Sequence, residues 1–139
     1  MSLHIFVSYD YDSDKHYKRM LQAWSANSRF ELEFYDQSVD VSVNSTEAAP
    51  IRRVISSRIK QSDILLCIVG MHTNRSSWVT WEIEKAIELR KKLVAVKLNP
   101  AFITPAALYG KKAKWAYSFT FAAIKRAVEE AYFGFSLSL

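Results

Sequence analysis

Glycine is scarce in this 139-residue chain, which has only Gly70, Gly110 and Gly134. They lie too far apart to form the glycine-rich loops that cradle phosphates in dinucleotide-binding and P-loop proteins. With only three prolines besides, collagen-like and low-complexity chains are excluded. The single cysteine, Cys67, cannot form an internal disulfide, which suits a reducing compartment, the cytoplasm. Its neighbours, Asp63-Ile-Leu-Leu-Cys-Ile-Val69, read as a buried small hydrophobe and not a nucleophile. No apolar run approaches the ~20 residues of a membrane-spanning helix. No basic leader precedes a long apolar stretch, so neither a signal peptide nor a membrane partner is expected. His4, His16 and His72 are scattered, and no His/Cys/Asp spacing resembles a metal site.

What is present suits one soluble domain spanning 1–139. Half the residues are apolar and 14% are aromatic, too many for disorder. A domain of this length buries roughly 68–70% of its unfolded surface and needs no disulfide or metal staple. Charge is uneven. Residues 1–89 hold 10 Lys/Arg and 12 Asp/Glu, a net of −2, whereas 90–139 hold 9 and 2, a net of +7. A basic stripe attracts anionic partners, nucleic acid among them. No nucleic-acid-binding signature accompanies it, so a solvated lysine face is preferred and no nucleic-acid partner is expected.

Strand and helix patterns alternate along the chain. Residues 4–8 are a β-branched and aromatic run. Asp12 or Ser13 is positioned to cap a helix striped by Tyr17, Met20, Leu21 and Trp24. Residues 30–34 alternate strictly, as an edge strand with one wet face does. A long polar loop follows at 36–49, then Pro50 and a stripe of Ile51, Val54, Ile55 and Ile59. Residues 63–69 read as a strand buried on both faces. Ser76 or Ser77 caps a helix from 78 to about 91, with Val79, Ile83, Ala86, Ile87 and Arg90 on its buried side and Glu88 paired with Lys92. Strands are expected at 93–98 and 114–119. A last helix is striped by Phe121, Ile124, Val128, Ala131 and Tyr132. The apolar tail at 132–139 suits either self-association or packing back onto the domain. Five such units imply an α/β fold of three layers, a parallel sheet in the doubly wound order 2-1-3-4-5.

In that order ligands bind beyond the carboxyl ends of the first and third strands. Ser8-Tyr-Asp-Tyr-Asp12, the loop opening Tyr35-Asp36, and Ser76-Ser-Trp-Val-Thr-Trp-Glu82 converge there. Trp78, Trp81 and Glu82 are expected in the first turn of a helix, whose N-terminus favours an ionised carboxylate while the indoles desolvate it. Aromatics beside a carboxylate suit a planar or cationic ligand. The alternative is that both tryptophans pack the core and Glu82 is an ordinary first-turn charge. A receiver-type phosphoacceptor and a flavin mononucleotide site are excluded. The third strand ends Val69-Gly70-Met71 without an Asp, and 9–14 is acidic where a phosphate loop would be hydroxyl-rich.

His4-Ile-Phe-Val-Ser-Tyr-Asp10 resembles the opening strand of TIR domains, and Trp78-Val-Thr-Trp-Glu82-Ile83 resembles their third-helix motif. Phe34-Tyr-Asp-Gln-Ser38, the following Ser-Val-Asp-Val-Ser loop and Trp81-Glu-Ile-Glu-Lys-Ala-Ile-Glu88 resemble the TIR-like family of Thoeris antiphage defence proteins, over about 4–132. The resemblance implies a flavodoxin-like TIR fold with NAD+ as a substrate, not a resident cofactor. It implies cleavage of the nicotinamide–ribose bond, with Glu82 as the catalytic glutamate. In that branch the product is a cyclic ADP-ribose isomer, a diffusible messenger that activates a partner effector. Ser8, Tyr9, Asp10, Asp36, Trp78 and Trp81 are the candidate substrate-binding residues. TIR enzymes often complete their site from a neighbouring subunit through the loop after the second strand, here 36–49, so a homo-oligomer is a candidate active form. A non-catalytic TIR assembly module and a nucleoside deoxyribosyltransferase-like enzyme, which shares the sheet order and a glutamate nucleophile, stand as alternatives.

Overall fold

Every residue of Ile64–Val69 is buried. A strand can be apolar on both sides only where helices cover both faces of its sheet, and they do. In a computed structural model, which describes residues 2–35 and 40–135, the chain runs β1 (Leu3–Ser8), α1 (Tyr11–Ser25), β2 (Phe30–Glu33), α2 (Ala49–Gln61), β3 (Ile64–Val69), α3 (Ser77–Glu88), β4 (Lys92–Lys97), β5 (Lys114–Ala116) and α4 (Phe121–Phe133). All four strand pairings are parallel, in the expected order β2-β1-β3-β4-β5. The alternating strand β2 lies at one edge and β3 in the centre.

Side chains alternate across the sheet and so build two cores. Ile5, Val7, Leu66 and Ile68 meet Leu21 of α1 and Ile124 and Val128 of α4 on one face. Phe6, Leu65, Cys67 and Val69 meet Ile55 and Ile59 of α2 and Val79 and Ile83 of α3 on the other. Each fully buried Ile, Leu or Val side chain stabilises the fold by about 1.5–3 kcal/mol relative to exposure. Among the described residues no helix is long and apolar enough to cross a membrane.

Several local expectations are corrected. Asp10, not Asp12 or Ser13, occupies the N-cap of α1, and it caps with its backbone: its carbonyl accepts from the N–H groups of Ser13 and Asp14. Helix α3 stops at Glu88, because Arg90 turns the chain left-handed at φ 59°. Arg90 is therefore exposed, and Lys92 has already entered β4, so Glu88 pairs with Lys85 at 2.9 Å. Val54 is 42% exposed, and α2 buries Ile55 and Ile59 instead. Strand β5 ends at Ala116; Phe119 has left the sheet to pack on Trp24 and Tyr17. Tyr132, expected in the buried stripe of α4, is exposed. Two expected signals hold. Ser76 Oγ accepts from the Val79 N–H, and Pro50 sits in the first turn of α2.

Candidate functional site

The switch point of the sheet lies between β1 and β3, where Ser8 stands in register with Cys67. Ser8 ends β1 on the face that α3 covers, two positions beyond Phe6. Its Oγ donates a 2.6 Å hydrogen bond to Glu82 Oε1, and both residues are buried. Glu82 is the sixth residue of α3, in its second turn and not its first as the sequence suggested. That depth takes it below the free N–H groups of the helix end, so the helix terminus does not set its charge. Burial does. It pushes the Glu82 carboxyl up to about 8, with the Ser8 bond pulling weakly the other way. The result is a carboxyl that favours its protonated form at neutral pH.

A second carboxyl reaches the same strand ends from the opposite face. Asp14, in the first turn of α1, is buried, and its carboxylate lies over Gly70 just past the end of β3. A Cβ at Gly70 would collide with the Asp14 carboxylate oxygens, so glycine at this position is what admits the acid. Burial first and the Asp10 charge second push Asp14 up to about 6, against the lowering effects of Thr73 and His72. The Thr73 hydroxyl accepts from the Gly70 N–H at 2.8 Å and lies 3.1 Å from the Ile68 carbonyl and 3.5 Å from Asp14 Oδ2. It has one proton to give. The Ile68 carbonyl and the Asp14 carboxylate compete for it, the carbonyl being the nearer. Burial and the nearby Glu82 and Asp14 charges raise the Cys67 thiol, confirming an inert core cysteine.

The remaining candidates divide. Tyr9 is 7% exposed and packs against Phe34 and Tyr11 in the core under α1 and α4, on the face away from Glu82. Asp10 is half-buried at the start of α1 and contributes its charge to Asp14. Trp78, one turn before Glu82, packs on the α2/α3 core and donates its indole N–H to the Val41 carbonyl at 3.1 Å. It fastens the loop after β2 to α3. Arg52 fastens the same loop to α2 through the Val43 and Ser45 carbonyls. Trp81 meets Trp78 edge-on and lines a separate shallow hollow with Val43, Thr80 and Glu84. Asp36 lies outside the described residues. Sequence reasoning missed Asp14 and Gly70. The available signals were an acidic run ending at Asp14 and a glycine placed directly after a fully apolar strand.

Several solved structures share this fold. One is a 2-deoxyribosyltransferase from the psychrotolerant bacterium Bacillus psychrosaccharolyticus, with a TM-score of 0.63 and 16% identity over 87% of this chain and 95% of that one. Another is a 2-desoxiribosyltransferase from Leishmania mexicana, at 0.54 and 14% over 70% and 65%. The TIR domains of the activated Roq1 resistosome align at 0.51 and 14% over 72% and 61%. This chain spans less than two thirds of the latter two. Identities this low carry the fold alone. No curated protein matches the sequence. A family model described as the TIR-like domain of the Thoeris protein ThsB matches residues 6–101, which contain Ser8, Asp14, Gly70 and Glu82.

Proposed function

The chain belongs to the TIR-like domain family of the Thoeris protein ThsB, and on that ground we propose that it is an NAD+-processing enzyme of antiphage defence. The reading takes the whole chain as one TIR-like domain acting in the cytoplasm. The observation that carries it is the buried Glu82 carboxyl, held by Ser8 at the sheet's switch point. Nicotinamide leaves NAD+ as a neutral molecule, because the bond that breaks is already to a pyridinium. No general acid is needed, unlike ordinary glycoside hydrolysis with its two carboxylates. One carboxylate suffices to bind the ribose and stabilise the oxocarbenium-like transition state.

The elevated Glu82 pKa fits that task. The pyridinium cation favours loss of the proton, so charge develops on the carboxylate in the presence of its substrate. Ser8 orients the carboxylate, while Asp10 and Asp36 supply ribose or carboxamide contacts. Trp78 steadies the loop that closes the site. A cyclic ADP-ribose isomer forms when a second nucleophile of the same molecule reaches C1 before water does, which requires a folded, dry substrate. That product is the messenger to a partner effector. Loop 36–49 is the segment through which a second copy completes the site.

The test uses protein taken from phage-challenged cells and supplied with NAD+. Nicotinamide and ADP-ribose isomers are identified by mass and retention. Release that disappears in Glu82→Gln supports the reading, and an unchanged rate in that variant overturns it. A transferase acting on deoxynucleosides is the second reading, favoured by the near-full-length similarity in shape to the Bacillus 2-deoxyribosyltransferase. Base exchange between a deoxynucleoside and a free base, without nicotinamide release, selects it.

A further inference from the structure

At the amino end of the sheet, opposite Ser8 and Glu82, a groove of about 420 Å³ is lined by Arg90, Lys91, Lys92, Lys111, Lys112 and Lys114. Glu130 is the one acidic side chain in its wall. The sequence scatters these cations over two segments; the fold gathers them because the turn after α3 and the turn before β5 meet at the starts of β4 and β5. Lys91 has an internal task, donating to the Lys60 carbonyl in the last turn of α2 at 2.9 Å. The other five are exposed, and among the described residues their side chains form no hydrogen bond or ion pair. The negative ends of α3 and α4 attract cations here, but one or two would answer that field, and six repel each other. Arg90 and Lys112 also hold left-handed backbone, with φ of 59° and 60°, where glycine would be easier. Long cations kept at such positions are expected when the side chain itself has a use.

Exposed aromatics stand at the lip of this groove. Helix α4 returns the chain from the carboxyl end, and its last turn forms one wall through Ala131 and Gly134. Gly134 lies between Phe133 and Phe135 in the chain. Phe135 is 60% exposed, and Tyr132 and Phe133 are each 36% exposed. Their rings form one cluster, with centroids 4.9 Å apart for Tyr132 and Phe133 and 6.3 Å apart for Phe133 and Phe135. Phe133 also borders a second hollow, of about 460 Å³, along the other side of α4. Arg29 and Lys125 line that hollow, with the buried Glu129. The aromatic end of α4 thus stands between two groups of cations.

An occupant has to answer both features. The headgroup layer of an anionic bilayer does: it offers negative charge to the cations and an apolar boundary to the rings. Aromatic side chains favour that boundary, and long Lys and Arg side chains reach the headgroups beside it. A polyanion without an apolar part would answer the cations and leave the rings in water. Two copies of this chain meeting end to end here would set six cations against six. Short apolar runs, from which no membrane partner was expected, exclude a spanning helix and not attachment at the surface.

We propose that this end of the domain docks on an anionic membrane surface, with Tyr132, Phe133 and Phe135 at the headgroup boundary and the surrounding cations on lipid phosphates and carboxylates. The site is distinct from the Glu82 site, and the proposal does not depend on NAD+ chemistry. Co-sedimentation with vesicles tests it, comparing phosphatidylcholine alone with an equimolar mixture of phosphatidylcholine and phosphatidylserine. Binding to the mixed vesicles and not to phosphatidylcholine is expected, weakening as salt rises from about 50 to about 200 mM. Lys111→Glu with Lys112→Glu is expected to weaken it by at least about tenfold, since each cation near such a surface contributes about fivefold. Phe135→Ser is expected to weaken it by about fivefold through lost contact with the boundary. Lys15→Glu, at the opposite end of the sheet, and Glu82→Gln are expected to bind as the parent does. Melting curves establish that each variant is folded. Absence of binding to the mixed vesicles at the lower salt overturns the proposal, as does equal binding to phosphatidylcholine alone. So does parental affinity in the lysine pair or in Phe135→Ser, or a loss in Lys15→Glu as large as theirs. Tighter binding of a polyglutamate peptide or of a deoxythymidine oligomer, measured in competition with the vesicles, overturns it in favour of a soluble partner.

Discussion

The two ends of this sheet treat charge in opposite ways. At the carboxyl end, Glu82 and Asp14 are buried, and burial pushes both acids toward the proton-bound form. At the amino end, Arg90, Lys92, Lys111, Lys112 and Lys114 stand in or near water. There crowding of like charge is tolerable because water screens it. The same strands begin at one end and finish at the other, so the contrast comes from what covers them. Helices α1 and α3 close over the finish of β1 and β3, whereas turns leave the starts of β4 and β5 open. A buried acid suits chemistry that calls for a charge only when substrate arrives. An exposed row of cations suits attraction that acts at a distance.

The largest expected effect breaks the buried end alone. Glu82→Gln should lower nicotinamide release by about 10²–10³-fold or more, the scale of a lost transition-state electrostatic contact. It should also stabilise the protein in a pH-dependent way. Glu82 ionises near 4.5 in the unfolded chain and near 8 in the folded one. Between those values the folded state holds more protons, so its stability relative to the unfolded state falls as pH rises. The melting advantage of Glu82→Gln should therefore grow from pH 5 to pH 8, reaching roughly 4 °C or more. Next in size, Gly70→Ala should destabilise by about 1–3 kcal/mol through overpacking against Asp14. Adding Asp14→Ala should recover most of that loss in a double-mutant melt.

A smaller effect sharpens the role of Ser8. The parental kcat/KM should rise with pH through about 8, because the ionised form of Glu82 is the working one. Ser8→Ala removes the donor that favours ionisation and should move the profile to higher pH. The smallest effect belongs to the open end. Arg90→Gly should be neutral to stabilising, by up to about 1 kcal/mol in a denaturant melt, because glycine accepts the left-handed backbone.

The sheet order was legible because two signals agreed, strict alternation at Phe30–Glu33 and unbroken apolarity at Ile64–Val69. The convergence of the Ser8 and Glu82 segments was legible from motifs at strand and helix ends, but the bond between the two residues was not. The pair's electrostatics were not either, because one helical turn separates a carboxylate at the helix terminus from one sunk below it. Asp14 against Gly70 joins residues far apart in sequence through a single missing Cβ, which no local period records. Tyr9 follows Ser8 directly yet joins the α1/α4 core, because successive residues of an extended chain point to opposite faces. The end of α3 was overrun because Arg90 looks helical in sequence, and only its left-handed backbone ends the helix.

The pH profile of nicotinamide release, run in parallel on the parent chain and on Glu82→Gln, is the most direct measurement of the central claim. The parent should climb to a plateau above about pH 8, and the variant should stay at background throughout. Parental release by Glu82→Gln at any pH would contradict the assignment of Glu82 as the catalytic carboxyl.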